Sequence, residues 1–204
     1  MSEYILAPLF TRLICNEAPH LRFHINSFND ADYQAQLGSG ALDVVVSVSP
    51  SAGPGIHSRK IGAQHLVGLV RNGHPFTQKR VTAPQFKKAR LLAFVRSDRT
   101  EGLLQRSLQE AKMAGQAAYS TPHFFAVPKI LTNSDLVLIQ SAGVAKALCV
   151  EHPLSAVRIP VRPPPIEPQL TWHERTHRDP AQRWMRELIL KTIQALPAEV
   201  DLRG

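Results

Sequence analysis

Two cysteines in 204 residues, and no apolar run close to the roughly 18 residues a membrane helix needs, define this sequence first by exclusion. A disulfide-built scaffold requires more thiols than Cys15 and Cys149 supply, and both lie in apolar helical patterns that predict buried, chemically silent side chains. The N-terminus shows no basic segment followed by an apolar stretch and a cleavage site, so a cytoplasmic protein without a membrane partner is expected. Also missing are a phosphate-binding loop and a dinucleotide fingerprint: GSGALD at 38–43 lacks the third glycine and precedes a strand instead of following one. The nine histidines are dispersed. His173 and His177 have i, i+4 spacing, but Asp179-Pro180 predicts a helix that starts after them, so no metal and no cofactor are expected. With no nucleophile and base pairing and no carboxylate cluster in the pattern, the sequence does not read as an enzyme.

What is present is enough apolar content, 44%, to bury one large domain or two small lobes. The formal charge of +8 would suit a nucleic-acid partner, but the cations are scattered. KKAR at 87–90 and HERTHR at 173–178 are the densest groups and read as solvated faces, since no aromatic interleaving or recognition-helix pattern accompanies them.

Strand and helix patterns alternate along the chain. Ile5, Leu6, Leu9 and Leu13 recur at helical spacing behind Ser2, predicting a helix to about residue 16 whose first turn Pro8 disturbs. Residues 21–26 read as a strand, 31–37 as a short helix stopped by Gly38, 42–48 as a continuous apolar strand and 64–71 as a longer one. A run such as LDVVVSV is expected where both faces of a parallel sheet are covered. The rhythm continues with strands at 90–95, 116–120, 136–139 and 167–173. Helices are predicted at 100–113, 121–129 behind Thr121-Pro122, 142–149 and 180–195. PVRPPPIEP at 160–168 can continue neither element and reads as a stiff connector. The predicted fold class is α/β, with two Rossmann-like lobes: residues 1–68 plus 170–204 form lobe one and 69–169 lobe two, joined by crossover strands near 67–71 and 169–173.

Four segments carry a family resemblance: LGSGALDVVVSV at 37–48, HLVGLVRNGHPF at 65–76, LTNSDLVLIQSAGVAKAL at 131–148 and PQLTWHERTHRDPAQRWMRELI at 168–189. In order and spacing they resemble the effector-binding domain of LysR-type transcriptional regulators, a type 2 periplasmic-binding-protein-like fold. The last segment looks most like the branch that regulates nodulation and aromatic-compound degradation. In that family a strand precedes the helix that here begins at Ser2, and a winged helix-turn-helix domain precedes that strand. The resemblance therefore implies a sensing domain that reaches DNA only through that preceding domain, with one lobe-one sheet position unpaired and open to swapping.

The resemblance also implies a homodimer or homotetramer, with the helix around Leu9–Leu13 and the segment 103–108 as interface elements. Open α/β sheets bind ligands outside the carboxyl ends of their strands, and the cleft of a two-lobed domain is the expected place. Candidate effector contacts there are Ser2, Ser47, Ser49, Arg71, Arg96, Thr121, His123, Phe124 and His173, with Asn72, Ser97, Ser141 and Phe125 nearby. Hydroxyl caps at helix starts and arginines favour an anion, so the expected effector is a small organic carboxylate, aromatic in character if Phe124 or Phe125 lines the pocket. Two other readings are a solute-binding protein of a transport system, which a secretory leader would favour, and an assembly domain without a ligand.

Overall fold

A computed structural model describes residues 2–26, 28, 31–48, 52–94, 117–160, 163, 165–194 and 202–203. The predicted helix at 100–113, the interface segment 103–108, Ser49, Arg96 and Ser97 lie outside them. Contacts divide the chain into unit 1, Met1–Ala63 with Glu167–Leu196, and unit 2, Gln64–Ile166 with Pro197–Gly204. The chain changes unit at 63/64, 166/167 and 196/197. The first two lie a few residues from the expected boundaries, whereas 197–204, expected in lobe one, falls in unit 2 because β-strand Leu202–Arg203 pairs there.

Unit 1 begins with helix α1 (Ser2–Glu17), which runs through Pro8 without a break. Pro8 is exposed, so water can serve the carbonyl its ring leaves without a partner. Among the described residues, α1 buries Phe10 and Ile14, four apart on one face. Cys15 is exposed and Cys149 half-buried, contrary to the expectation of two buried thiols. The segment 21–26 is not a strand: Leu21 and Ile25 face solvent, and only Phe23 packs against the core. Helix α2 (Tyr33–Ser39) ends at Gly40, not at Gly38. Gly40 has φ 89°, a left-handed conformation that suits glycine, and its amide donates to the Gln36 carbonyl.

Strands β1 (Val45–Ser47), β2 (Ile56–Lys60) and β8 (Gln169–His173) form a three-stranded sheet in the order β1-β8-β2. Both pairings are antiparallel, so the parallel sheet expected of the LDVVVSV run does not form here. β8 supplies the buried Leu170 and Trp172, against which Phe10, Ile14 and Leu188, Ile189 and Leu190 of helix α6 (Pro180–Gln194) pack. Burying such side chains contributes about 1.5–3 kcal/mol each before entropy is charged.

Unit 2 is built on a six-stranded sheet in the order β5-β4-β6-β3-β7-β9. Its strands are β3 (Leu66–Arg71), β4 (Leu91–Phe94), β5 (Ala117–Thr121), β6 (Val137–Ser141), β7 (Leu154–Val157) and β9 (Leu202–Arg203). β4 pairs in parallel with β5 and β6, and β7 with β9, whereas β3 is antiparallel to both β6 and β7. One face holds Val70, Val137, Ile139 and Val157 against Phe86 of the short helix α3 (Ala83–Lys87). The period-two alternation sends Leu69 and Leu138 to the other face. Helices α4 (Val127–Thr132) and α5 (Ala142–Glu151) cover that face with their own buried Leu131 and Leu148. Gly68 sits at the centre of β3, where an added Cβ would stand 2.9 Å from a Val157 methyl.

Candidate functional site

Strand direction decides which of the expected contacts can meet. In unit 2 the parallel strands β4, β5 and β6 end together at Phe94, Thr121 and Ser141. β3 runs the other way: Leu66 is opposite Ser141, and Leu69 opposite Leu138. Arg71 and Asn72, at the carboxyl end of β3, therefore stand at the opposite end of the sheet from Thr121 and Ser141. Arg71 is also engaged: its Nε and a terminal nitrogen reach Oδ1 of Asp135 at 2.8 and 2.7 Å, and another donates to the Asn72 carbonyl. Asn72 accepts from the Ser155 hydroxyl at 2.6 Å. The same reversal acts in unit 1, where Ser47 is opposite Gln169 but His173 is opposite Ile56, so Ser47 and His173 occupy opposite ends of that sheet. Neither Arg71 nor His173 shares a sheet end with the other candidates.

The end of the unit 2 sheet that collects Thr121, His123 and Phe124 is built as a tight turn. Thr121 is buried, and its hydroxyl accepts from the His123 amide at 3.1 Å. That turn takes the place of the expected helix start, and a single 3-10 turn at Phe124–Ala126 leads into α4. His123 is exposed, and its ring makes no capping bond and no other hydrogen bond among the described residues. Phe124 is buried edge-on against Phe94 at 5.1 Å, while Phe125, 71% exposed, cannot line an enclosed pocket. Ser141 is buried at the N-cap of α5 without a side-chain capping bond.

The first donors of α5 are already occupied. The Ser141 amide donates to Gln140 Oε1 at 2.8 Å, the Ala142 amide to the His65 carbonyl at 2.8 Å and the Gly143 amide to Gln64 Oε1 at 3.4 Å. Gln64 makes the longest of these bonds. Neither glutamine was singled out from sequence, because a lone Gln at a strand end carries no pattern. Ser47 is buried at the end of β1. Ser2 is the first residue of α1, and its side chain lies outside the described set.

A second polar cluster in unit 1 was hidden in the HERTHR run, which reads as a charged face. His57 Nε2 bonds Glu174 Oε2, and the His57 ring stacks on His177 at 4.2 Å. The Trp172 indole N–H donates to His177 Nδ1 at 3.1 Å. The hydrogen bond from His57 holds the Glu174 carboxyl below its usual pKa, and the positive field of His57, His177 and Arg178 acts in the same direction. The ligand atoms of these three residues lie within 4.8 Å of one another. Their arrangement does not suit a metal: rings stacked 18° from parallel do not converge their in-plane lone pairs on one point, and the indole occupies the Nδ1 lone pair of His177. His173 takes no part, since its Nδ1 accepts from the Arg175 amide at 3.1 Å. Arg175 in turn donates to the Leu37 and Leu42 carbonyls at 2.8 and 3.3 Å, closing the end of α2.

Residues 1–194 match the family described as the LysR substrate binding domain. The chain belongs to that family. Its relatives include the HTH-type transcriptional activator NagR of Ralstonia sp, 26% identical over 92% of this chain, and the HTH-type transcriptional regulator SyrM 1 of Sinorhizobium fredii, 30% identical over 94%. The chain spans 62% and 56% of those two proteins. Among solved structures, the regulatory domain of MexT, a transcriptional activator in Pseudomonas aeruginosa, superposes with TM-score 0.79 at 21% identity and covers 92% of each chain. CbnR, a LysR family transcriptional regulator, superposes with TM-score 0.70 at 14% identity over 94% of this chain and 66% of its own. The LysR effector-binding α/β fold expected from the four sequence segments is the fold present. Among the described residues no helix is long and apolar enough to cross a membrane.

Proposed function

We propose that this LysR-family domain senses a small organic anion, a carboxylate with an aromatic or apolar body, and thereby controls transcription by the regulator it belongs to. The single observation that carries the reading is the convergence of Thr121, His123 and the Phe94–Phe124 pair at the end where β4, β5 and β6 finish together. A buried hydroxyl, an uncommitted imidazole and an aromatic edge are a suitable set for one carboxylate on an apolar frame. Of the other expected contacts, Arg96 belongs to the same unit and stays within the proposal; Ser2, Ser47 and Ser49 belong to unit 1 and are kept only as contacts of that unit, whereas Arg71 and His173 are withdrawn. In the full regulator the domain works in the cytoplasm as part of a homodimer or homotetramer, and DNA is reached through a winged helix-turn-helix domain. A ligand shifts such an assembly only by its differential affinity for two arrangements.

The test is thermal unfolding of the chain across aromatic and aliphatic carboxylates, each beside its neutral amide. An acid that raises the midpoint by the mass-action amount its Kd requires, with its amide inert, supports the reading. Equal stabilisation by the amide, or a response unchanged in both Thr121→Ala and His123→Ala, overturns it.

A further inference from the structure

Unit 1 contains a cavity of about 530 Å³ between β2, β8 and α6, running along β8 from Leu170 to Trp172. Its floor is apolar, formed by Leu170 and Leu190, and the Trp172 indole forms one wall. Four guanidinium groups line it, from Arg59, Arg178, Arg183 and Arg186, against one carboxylate, that of Glu187. Glu187 is committed to Arg59 at 3.2 Å. Arg178 and Arg183 have no carboxylate partner among the described residues.

Arg186 is the informative one. Only 6% of it is exposed, yet no carboxylate lies within ion-pair distance among the described residues. Its terminal nitrogens donate to the Thr176 and His177 carbonyls at 3.1 and 2.8 Å, and its guanidinium lies 4.8 Å from the Trp172 ring centroid. Two of five N–H groups are thereby used, and burial lowers its pKa from the usual arginine value. Asp179 and Glu187 attract it without touching it, so a buried cation whose direct contacts are carbonyls and a π face still gains from an anion placed against it. The cavity that it borders carries an excess of three positive charges.

We propose that this cavity is a second binding site, wholly within unit 1, for a multivalent small organic anion bearing carboxylate or phosphate groups. Arg178 and Arg183 take the exposed charges of the ligand and Arg186 the innermost one. Trp172, Leu170 and Leu190 contact its carbon skeleton. The size suits a ligand of metabolite dimensions, since pockets of roughly 300–1,000 Å³ accommodate such molecules. A monovalent acid leaves two cations uncompensated and binds weakly. This site is separate from the unit 2 sheet end proposed above and does not depend on it.

The experiment titrates the full chain with pyrophosphate, citrate and acetate at matched ionic strength, read by Trp172 emission in a Trp184→Phe background and by the unfolding midpoint. Pyrophosphate or citrate is expected to give a saturable change with at least tenfold tighter binding than acetate, and whichever of the two binds identifies the headgroup. In Arg178→Gln/Arg183→Gln, both exposed positions, affinity falls at least tenfold while the ligand-free midpoint is retained. Lys87→Gln/Lys88→Gln, which removes the same charge from an exposed part of unit 2, leaves affinity unchanged. No saturable response to either polyanion overturns the proposal, as does an equal loss in the lysine variant. A response lost in Thr121→Ala or His123→Ala but kept in the arginine variant moves the anion to the other site and likewise overturns it.

Discussion

Arg71 holds Asp135 through two nitrogens on a single carboxylate oxygen, at 2.7 and 2.8 Å, on the edge of unit 2 remote from Thr121. The pair fixes the turn after β3, because the Asp135 carbonyl also faces His74 Nε2 at 3.4 Å. Arg71 is a third exposed and Asp135 two thirds, so solvent screens the attraction and the pair is worth at most about 1 kcal/mol. Arg71→Ala is expected to lower stability by no more than that in denaturant unfolding and to leave effector affinity within twofold. A tenfold loss of affinity would return Arg71 to the binding site.

His74 makes stability depend on pH. Its Nδ1 accepts from the Phe76 amide at 3.0 Å, so the neutral ring with its proton on Nε2 is the form the fold holds. Burial lowers its pKa, opposed by the Asp135 carbonyl and carboxylate and assisted by Arg71. Because the folded pKa lies below the unfolded one, the unfolded chain takes up the proton first on acidification. The contribution is full above about pH 6.5 and is lost as pH falls through the folded value. The unfolding midpoint should hold steady from pH 8 to 7 and fall below 6.5, with a shallower fall in His74→Asn, which keeps a capping acceptor. An unchanged slope in that variant would refute the assignment.

Gly40 tests the close of α2. Alanine there must adopt φ 89°, and its Cβ would stand 3.1 Å from the Arg175 guanidinium. The left-handed conformation alone costs roughly 1–2 kcal/mol. Gly40→Ala should therefore destabilise by at least that amount in chemical denaturation, whereas Gly38→Ala, whose Cβ would meet nothing closer than 3.8 Å, should be close to neutral.

The indole bond to His177 supplies a further check. Trp172→Phe keeps most of the apolar body but removes the donor, leaving His177 Nδ1 without its partner. A loss of about 1–3 kcal/mol is expected, read by denaturant unfolding and larger than for Trp184→Phe, where the ring is only half-buried. Equal losses in the two variants would show that the hydrogen bond adds nothing.

Much of this architecture is legible in the sequence where apolar patterns are long. The predicted helix at 180–195 is α6, and the strand–helix pair at 136–149 is β6 and α5, shifted by one or two residues. Short or amphiphilic elements escape. IHSRK forms β2 although three of its five residues face solvent, and Leu154–Val157 forms a buried strand too brief to show a period. Helix α3 is five residues long, marked by the Thr82 and Gln85 capping box and by Pro84 in its first turn but by no apolar period. The reverse failure is 21–26, whose apolar residues alternate like a strand but find no ladder partner among the described residues. The separation of Arg71 and His173 from the other expected contacts has one cause. Alternation looks the same in a strand of either direction, so Arg71 and His173 were placed by the rule for parallel strands while β3 and β8 run antiparallel to their neighbours.

β8, the central strand of the unit 1 sheet, comes from residues 169–173 and pairs with strands from residues 45–60. On the ribosome, residues 64–166 emerge before it does. The core of unit 2 can therefore close while β1 and β2 still wait for the strand that joins them. Maturation is then vectorial, with the unit 2 core forming ahead of its edge strand β9 and of the unit 1 sheet, and loop closure across more than a hundred residues sets the pace for unit 1. During that interval β1 and β2 present open ladders, and this is the window in which chaperone capture or pairing with another nascent chain competes with folding.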